Sequence, residues 1–294
     1  DAFASLRAGN PTASITLMTS PGFVSLANMM PWFDDVITDP RASLINFVAS
    51  LRVRHHLRRN WSVIVDMQCS GRTRWYFLHF RLPTTRWIGV APGCSDPLPK
   101  FEGVNNRLRM MKAAEMAGGL NQAADMGWLA PDKGGSHNHL QVDRVHDYAV
   151  LVPGCSLAKP QKRWPANYFA AVANNLLARG VTVYVVGTAE DRRAIDCVLV
   201  EAPDVIDLCS KTNLSELGRL FCGASYVIGN DTGPVFLAAK TGAPTLMMMG
   251  PDTDPAMSAP DGIAASWLRA KPISGITVTA ALSSLYKLGG SAKT

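Results

Sequence analysis

Ser225–Gly250 reads SYVIGNDTGPVFLAAKTGAPTLMMMG, and the order of its parts decides the fold. A short apolar run, Tyr226–Ile228, meets a polar hinge, Asn230-Asp231-Thr232-Gly233-Pro234. A small-residue helix follows, then a second apolar run, Pro244–Met249. Where a strand hands over to a helix, backbone N–H groups and the positive end of the helix dipole are free to hold an anion. The hinge is therefore a candidate site if the rest of the chain builds a crevice around it.

The flanking sequence keeps the same rhythm. YAVLVPG (Tyr148–Gly154) is an apolar run closed by Pro-Gly, with the length and flanks of a buried strand. WPANYFAAVANNLLARG gives a helix with Pro165 early and Gly180 as its stop. VTVYVVG, closed by Gly187, is a second strand, and AEDRRAIDCVLVEA returns to helical spacing. DVIDLC is a short strand, and NLSELGRLFCGA a helix with Asn213 and Ser215 as candidate caps. Near-continuous apolar strands alternating with amphipathic helices predict a parallel sheet covered on both faces. Ligands of such sheets sit beyond the carboxyl ends of the strands, where Gly154, Gly187, Asp231 and Gly250 all fall.

The first half alternates in the same way. SITLMTS, DDVIT, WSVIVDMQ and TRWIGV read as strands. GFVSLANM, SLINFVASLRVRHHLRRN, RTRWYFLHF and NNRLRMMKAAEMAGGL read as the helices between and after them. Residues 121–147 are rich in Gly, Asp and His and poorly periodic, so the expected domains are 1–145 and 146–294, with the last helix packing back. The opening DAFASLRAGNP is already helical, although an α/β domain usually begins with a strand and a loop feeding that helix. The first strand of the N-terminal domain is therefore expected to be absent from this chain.

Composition narrows the class. The 294 residues are 47% hydrophobic and 18% charged, as in a globular chain of two domains. The longest apolar runs have strand length, and no charged-then-apolar leader opens the chain. Residues 1–145 carry 16 Lys and Arg against 11 Asp and Glu; residues 146–294 carry 13 against 12. A moderately basic first half suits phosphates, an acidic glycan or an anionic lipid surface, although solvated helix faces explain most such asymmetries. The six cysteines form no CxxC pair, and neither His55–His56 nor His137/His139 has Cys or patterned acids nearby. Neither a zinc site nor a disulfide framework is expected, and no metal or cofactor is assigned.

VPGCSLAKPQKRWPANYF (Val152–Phe169), VVGTAEDR (Val185–Arg192), Leu208–Pro244 and MGPDTDP (Met249–Pro255) together resemble the heptosyltransferases of lipopolysaccharide core synthesis, glycosyltransferase family 9. WSVIVDMQ resembles that family's penultimate N-domain strand, DAFASLR its first helix and ISGITVTAALSSL its closing helix. The resemblance covers nearly the full chain. It implies the GT-B-like fold: α/β, two Rossmann-like parallel-sheet domains facing a central cleft. It also implies inverting, metal-independent transfer of a sugar from a nucleoside-diphosphate donor, typically ADP-heptose, to a core acceptor.

By the same resemblance Lys162 binds the donor phosphates, whereas a lone lysine at such a place would be an exposed loop residue. Gly154 and Ser156 add N–H and hydroxyl donors, in a loop slightly longer than the usual pattern. Thr232 and Gly233 present amides from a helix N-terminus, with Asp231 as either part of the site or an ordinary N-cap worth about 1 kcal/mol. Glu190, three residues after Gly187, matches an acid that accepts from the donor ribose, and is equally a first-turn Glu favoured by the helix dipole. The family commonly reads Asp-Ser/Thr-Gly-x-x-His, but the last of those positions here is Phe236. Its catalytic base, an Asp in a glycine-rich loop, precedes the matched first helix and so lies upstream of Asp1. Asp66 is the one substitute candidate, but reads more readily as an acceptor contact, with Gln68, Arg72 and Arg74, or as a structural carboxylate.

The implied acceptor is an anionic glycolipid, which places the protein in the cytoplasm, peripherally at the inner membrane. Two rivals fail on motif grounds: no G-x-G-x-x-G follows a strand, and no concentrated basic face with interleaved aromatics suggests nucleic acid. The remaining rival is a degenerate relative that binds nucleotide sugar or glycan without transfer, motivated by Phe236 and the missing front loop.

Overall fold

The computed structural model describes residues 1–41, 46–99, 103–129 and 147–292. The chain divides into two compact units, Asp1–Trp128 and Leu129–Thr294. Residues 130–146, which hold His137, His139 and the expected boundary, lie outside the described residues.

The first unit runs α1 (Ala2–Gly9), β1 (Thr16–Thr19), α2 (Val24–Ala27), β2 (Asp35–Thr38), α3 (Phe47–Leu57), β3 (Val63–Val65), α4 (Gly71–Phe80), β4 (Arg86–Gly89), β5 (Asp96–Pro97) and α5 (Asn106–Met116). Its strands pair in parallel as a two-stranded β1-β2 sheet and a three-stranded β3-β4-β5 sheet. Val53 and Leu57 of α3, Tyr76, Phe77 and Phe80 of α4, and Trp87 of β4 make one core. α4 begins at Ser70, whose side chain and that of Thr73 cap each other's backbone N–H groups.

The second unit continues with β6 (Tyr148–Val152), α6 (Ala166–Leu177), β7 (Thr182–Val185), α7 (Arg192–Glu201), β8 (Ile206–Asp207), α8 (Leu214–Cys222), β9 (Tyr226–Asn230), α9 (Gly233–Lys240), β10 (Thr245–Met249), α10 (Pro255–Ser258), β11 (Ala265–Arg269) and α11 (Val278–Ala292). Six parallel strands lie in the order β11-β10-β9-β6-β7-β8. Every residue of β6 and β10 is buried, as their unbroken apolar runs predict. Phe169 and Leu176 of α6, Ile195 and Val198 of α7 and Leu285 of α11 pack with one set of strand side chains. Leu217, Leu220 and Phe221 of α8 and Val235 and Ala238 of α9 pack with the other. Each such large apolar side chain stabilises the unit by about 1.5–3 kcal/mol through burial. Asn213 caps α8 and Glu216 completes the capping box, so Ser215, buried in the first turn, is not the cap.

Chain order reverses at the middle of this sheet. From β6 the chain steps to β7 and β8 on one side, then crosses to β9, β10 and β11 on the other. The helix after β6 covers one face and the helix after β9 the other, so these two strands form the switch point beyond which ligands of such sheets sit.

Candidate functional site

The loop leaving β6 carries Lys162 in a short 3-10 turn, Pro160–Lys162. Two contacts fix it over the ends of the strands. Asn230, the wholly buried last residue of β9, accepts the Trp164 N–H at Oδ1 (2.9 Å) and donates from Nδ2 to the Pro153 carbonyl (2.8 Å). Gly250, just past β10, lies so close to the loop that a Cβ there would sit 2.5 Å from the Gln161 carbonyl oxygen. The Trp164 ring anchors below, its Nε1–H donating to the Ile276 carbonyl (2.9 Å).

Held in this way, the Lys162 ammonium donates to Asp231 Oδ2 across the β6–β9 boundary. Thr253 Oγ1 donates to the same oxygen at 2.7 Å. Both side chains of the ion pair are largely buried, so Lys162 is not an exposed loop lysine. Asp231 is not the helix N-cap either: that position is Thr232, whose hydroxyl donates to the Asn230 carbonyl (3.3 Å) and caps no amide of α9. The carboxylate is instead the partner that fixes Lys162. Gly233 opens α9, is exposed, and has open space where a Cβ would stand.

A second cluster lies at the ends of β6 and β7. Arg163 donates to the Cys155 carbonyl and stands 3.8 Å from Asp191. Asp191 accepts from the Thr188 N–H and hydroxyl, each at 3.0 Å. A Cβ on Gly154 would fall 2.4 Å from the Asp191 carboxyl carbon, so packing alone accounts for that glycine. Gly187 is crowded in the same way by Ile195 and Asp191. Glu190 and Ser156 are both exposed beside this cluster. Burial pushes the Cys155 thiol up, against the pull of Lys162 and Arg163, so it is a poor nucleophile. Phe236 is half-buried and packs on the core beneath α8 and α9.

In the first unit Asp66 follows β3 and is buried. Its Oδ1 accepts the N–H groups of Cys69 (2.8 Å) and Gln68 (3.1 Å), while Oδ2 has no partner among the described residues. Burial raises its pKa above the ordinary carboxylate value, with the Cys69 N–H and then the Thr73 side chain opposing. Burial first and the Asp66 charge second push the Cys69 thiol up to about 11. A cavity of about 450 Å³ adjoins Cys69 and is lined also by Val90, Gly93, Leu98, Asn106 and Arg109. Arg109 donates to the exposed Gln68's carbonyl (3.3 Å), and its Nε is buried without a partner among the described residues. Sequence reasoning passed over Arg109 and Asn106, because α5 reads as an ordinary basic helix. Arg72 is tied into the unit through Tyr76 Oη (3.2 Å), which in turn donates to the buried Asp39 carboxylate (3.1 Å). Arg74 is exposed on α4, away from those bonds.

The model of glycosyltransferase family 9 (heptosyltransferase) matches residues 104–269. Lipooligosaccharide heptosyltransferase 2 of Haemophilus influenzae is 31% identical over 113 residues, which is 37% of this chain and 32% of that protein. The chain thus spans about a third of the length of this curated relative. Among solved structures, the Escherichia coli ADP-heptose LPS heptosyltransferase II superposes with a TM-score of 0.77 at 19% identity, covering 100% of this chain and 94% of that one. A family 9 glycosyltransferase from Veillonella parvula superposes at 0.84 and 16% identity, covering 99% and 93%. These likenesses establish a shared GT-B-like α/β fold over essentially the whole chain. With the family model covering more than half its length, the chain belongs to glycosyltransferase family 9, the heptosyltransferases.

Proposed function

We propose that the protein transfers a heptose from a nucleoside-diphosphate donor, ADP-heptose, to an anionic lipopolysaccharide core acceptor, with inversion and without a metal. The observation that carries this reading is the meeting of Lys162, Asp231 and the start of α9 at the point where the sheet order reverses. A diphosphate lying there meets one fixed ammonium and the amides of Thr232 and Gly233. As the sugar–phosphate bond breaks, negative charge grows on the departing diphosphate, and the same groups stabilise it without reorganising. Asp231 and Thr253 hold the ammonium in place, so less conformational freedom is lost when the donor binds. Glu190 and Ser156, exposed beside the second cluster, are the proposed ribose and phosphate contacts.

Transfer also needs a carboxylate to take the acceptor hydroxyl's proton as its oxygen attacks the anomeric carbon. Among the described residues Asp66 is a candidate for that carboxylate. Its raised pKa favours proton acceptance, and Gln68, Arg72 and Arg74 are the proposed acceptor contacts beside it. An acceptor of this kind puts the protein at the cytoplasmic face of the inner membrane. No helix among the described residues is long and apolar enough to cross one.

The test measures ADP release from ADP-heptose with a lipopolysaccharide core acceptor. Removing Lys162 alone strands a buried carboxylate and endangers the fold. The variant to use is therefore Lys162→Met with Asp231→Asn, which removes both charges and keeps the volume. Donor affinity should fall roughly 10- to 100-fold, the worth of a charge-assisted contact, while the fold persists. Donor binding without ADP release on any core acceptor would favour the non-transferring reading, which Phe236 supports by presenting no polar group in the first turns of α9. Neither binding nor release would contradict both.

A further inference from the structure

α3 carries none of the residues placed in the sites described above. Its inner side, Val53 and Leu57, is buried in the unit's core. Its outer side is not an ordinary solvated face. Phe47 is 73% exposed, Val48 61% and Leu51 43%, three large apolar groups at the N-terminal half. At helical spacing, Phe47, Leu51, His55 and Arg58 follow one another along the same side. Arg52, Arg54, Arg58 and Arg59, all exposed, carry that surface onward to the C-terminal end. Between Asp39 and Asp66 the sequence has no acidic residue to neutralise them. The helix thus presents an apolar half and a cationic half on one surface, with Asp35 of β2 the acid whose charge reaches His56.

We infer that the outer face of α3 is a peripheral docking surface for an anionic phospholipid bilayer. Charge complementarity selects this occupant: the arginines meet lipid phosphates while Phe47, Val48 and Leu51 enter the acyl boundary beneath them. The aliphatic stems of the arginines extend along the same interface with their heads in the phosphate layer. An exposed Phe-Val-Leu patch costs solubility in water and gains free energy at a headgroup boundary. The inference deepens the peripheral location given under the proposed function, but its evidence is α3 alone.

The experiment is flotation of the full chain with vesicles of phosphatidylglycerol and phosphatidylcholine in equal parts, against vesicles of phosphatidylcholine only. The protein should float with the anionic vesicles and stay behind with the neutral ones, and high salt should release it. Arg58→Ser with Arg59→Ser should weaken retention about fivefold per arginine removed. Phe47→Ser with Leu51→Ser should weaken it about tenfold or more and leave the thermal midpoint unchanged, since both groups are exposed. Equal retention by all variants, equal binding to neutral vesicles, or no binding at all would overturn the assignment. So would a dimer on a sizing column that Phe47→Ser with Leu51→Ser dissolves, because the face would then belong to a second copy. Flotation is read without donor or acceptor, so its failure is separate from failure of transfer. Turnover on a soluble acceptor fragment should survive Phe47→Ser with Leu51→Ser.

Discussion

At the scale of single residues, two buried carboxylates are handled in opposite ways. Asp231 is compensated by Lys162 and Thr253, a complete arrangement that loses much if one partner goes. Asp66 accepts two backbone N–H groups on one oxygen, and no cation is bonded to it among the described residues. Its raised pKa has a definite consequence for stability. Between the unfolded carboxyl value and the higher folded one, the native state binds the proton more tightly than the unfolded chain. Stability contributed there is present at low pH and lost as pH rises through the folded pKa. Asp66→Asn keeps the acceptor oxygen for Cys69 and removes the charge. In urea titrations the variant should match the native protein near pH 4 and be the more stable of the two at pH 7. If Asp66 takes part in transfer, kcat should fall at least tenfold in the same variant. A variant less stable at pH 7 than at pH 4, relative to the native protein, would contradict the account of this carboxylate.

At the scale of elements, the site depends on three loops pressed onto strand ends. Asn230 is the staple, since its amide joins the end of β9 to the backbone on both sides of the Lys162 loop. Asn230→Leu would leave the buried Trp164 N–H and Pro153 carbonyl without partners. The expected loss is about 2–4 kcal/mol, read as a lower urea midpoint with the slope unchanged. Gly233 behaves differently. Packing demands glycine at Gly154 and Gly250, but a Cβ at Gly233 would meet nothing within 4 Å among the described residues. Gly233→Ala should therefore leave the thermal midpoint unchanged or slightly raised, by the usual few tenths to 1 kcal/mol of reduced unfolded-state entropy. The same methyl should cost at least severalfold in ADP affinity, because it stands where a phosphate would approach the α9 amides. Loss of stability with affinity intact would reverse the role given to this glycine.

At the scale of the whole molecule, each unit is parallel α/β, and much of that was legible before any coordinates. β6, β7, β9 and β10 are unbroken apolar runs closed by glycine or a polar hinge, and the structure places strands at all of them. β5 and β11 were passed over. The first is two residues long, and the second, ASWLR, is an edge strand whose residues are partly exposed and whose run mixes polar with apolar side chains. In the first half the strands pair as two sheets, β1-β2 and β3-β4-β5, a division that the alternation of strands and helices does not encode. Lys162 and Asp231 could each be placed at a strand end, but their ion pair could not be foreseen. It joins residues 69 apart, and they meet because β6 and β9 are neighbours, an order that local periodicity does not encode. Arg109 was missed for a related reason, since a cavity wall becomes visible when α5 and the loop after β4 come together. The central claim is that the Lys162–Asp231 pair and the amides opening α9 hold a diphosphate, and calorimetry tests it most directly. ADP and adenosine are titrated into the native protein and into Lys162→Met with Asp231→Asn. The account predicts that ADP binds the native protein far more tightly than adenosine does, and that the variant loses at least tenfold in ADP affinity with adenosine unchanged. Equal ADP affinity in the two folded proteins would contradict it.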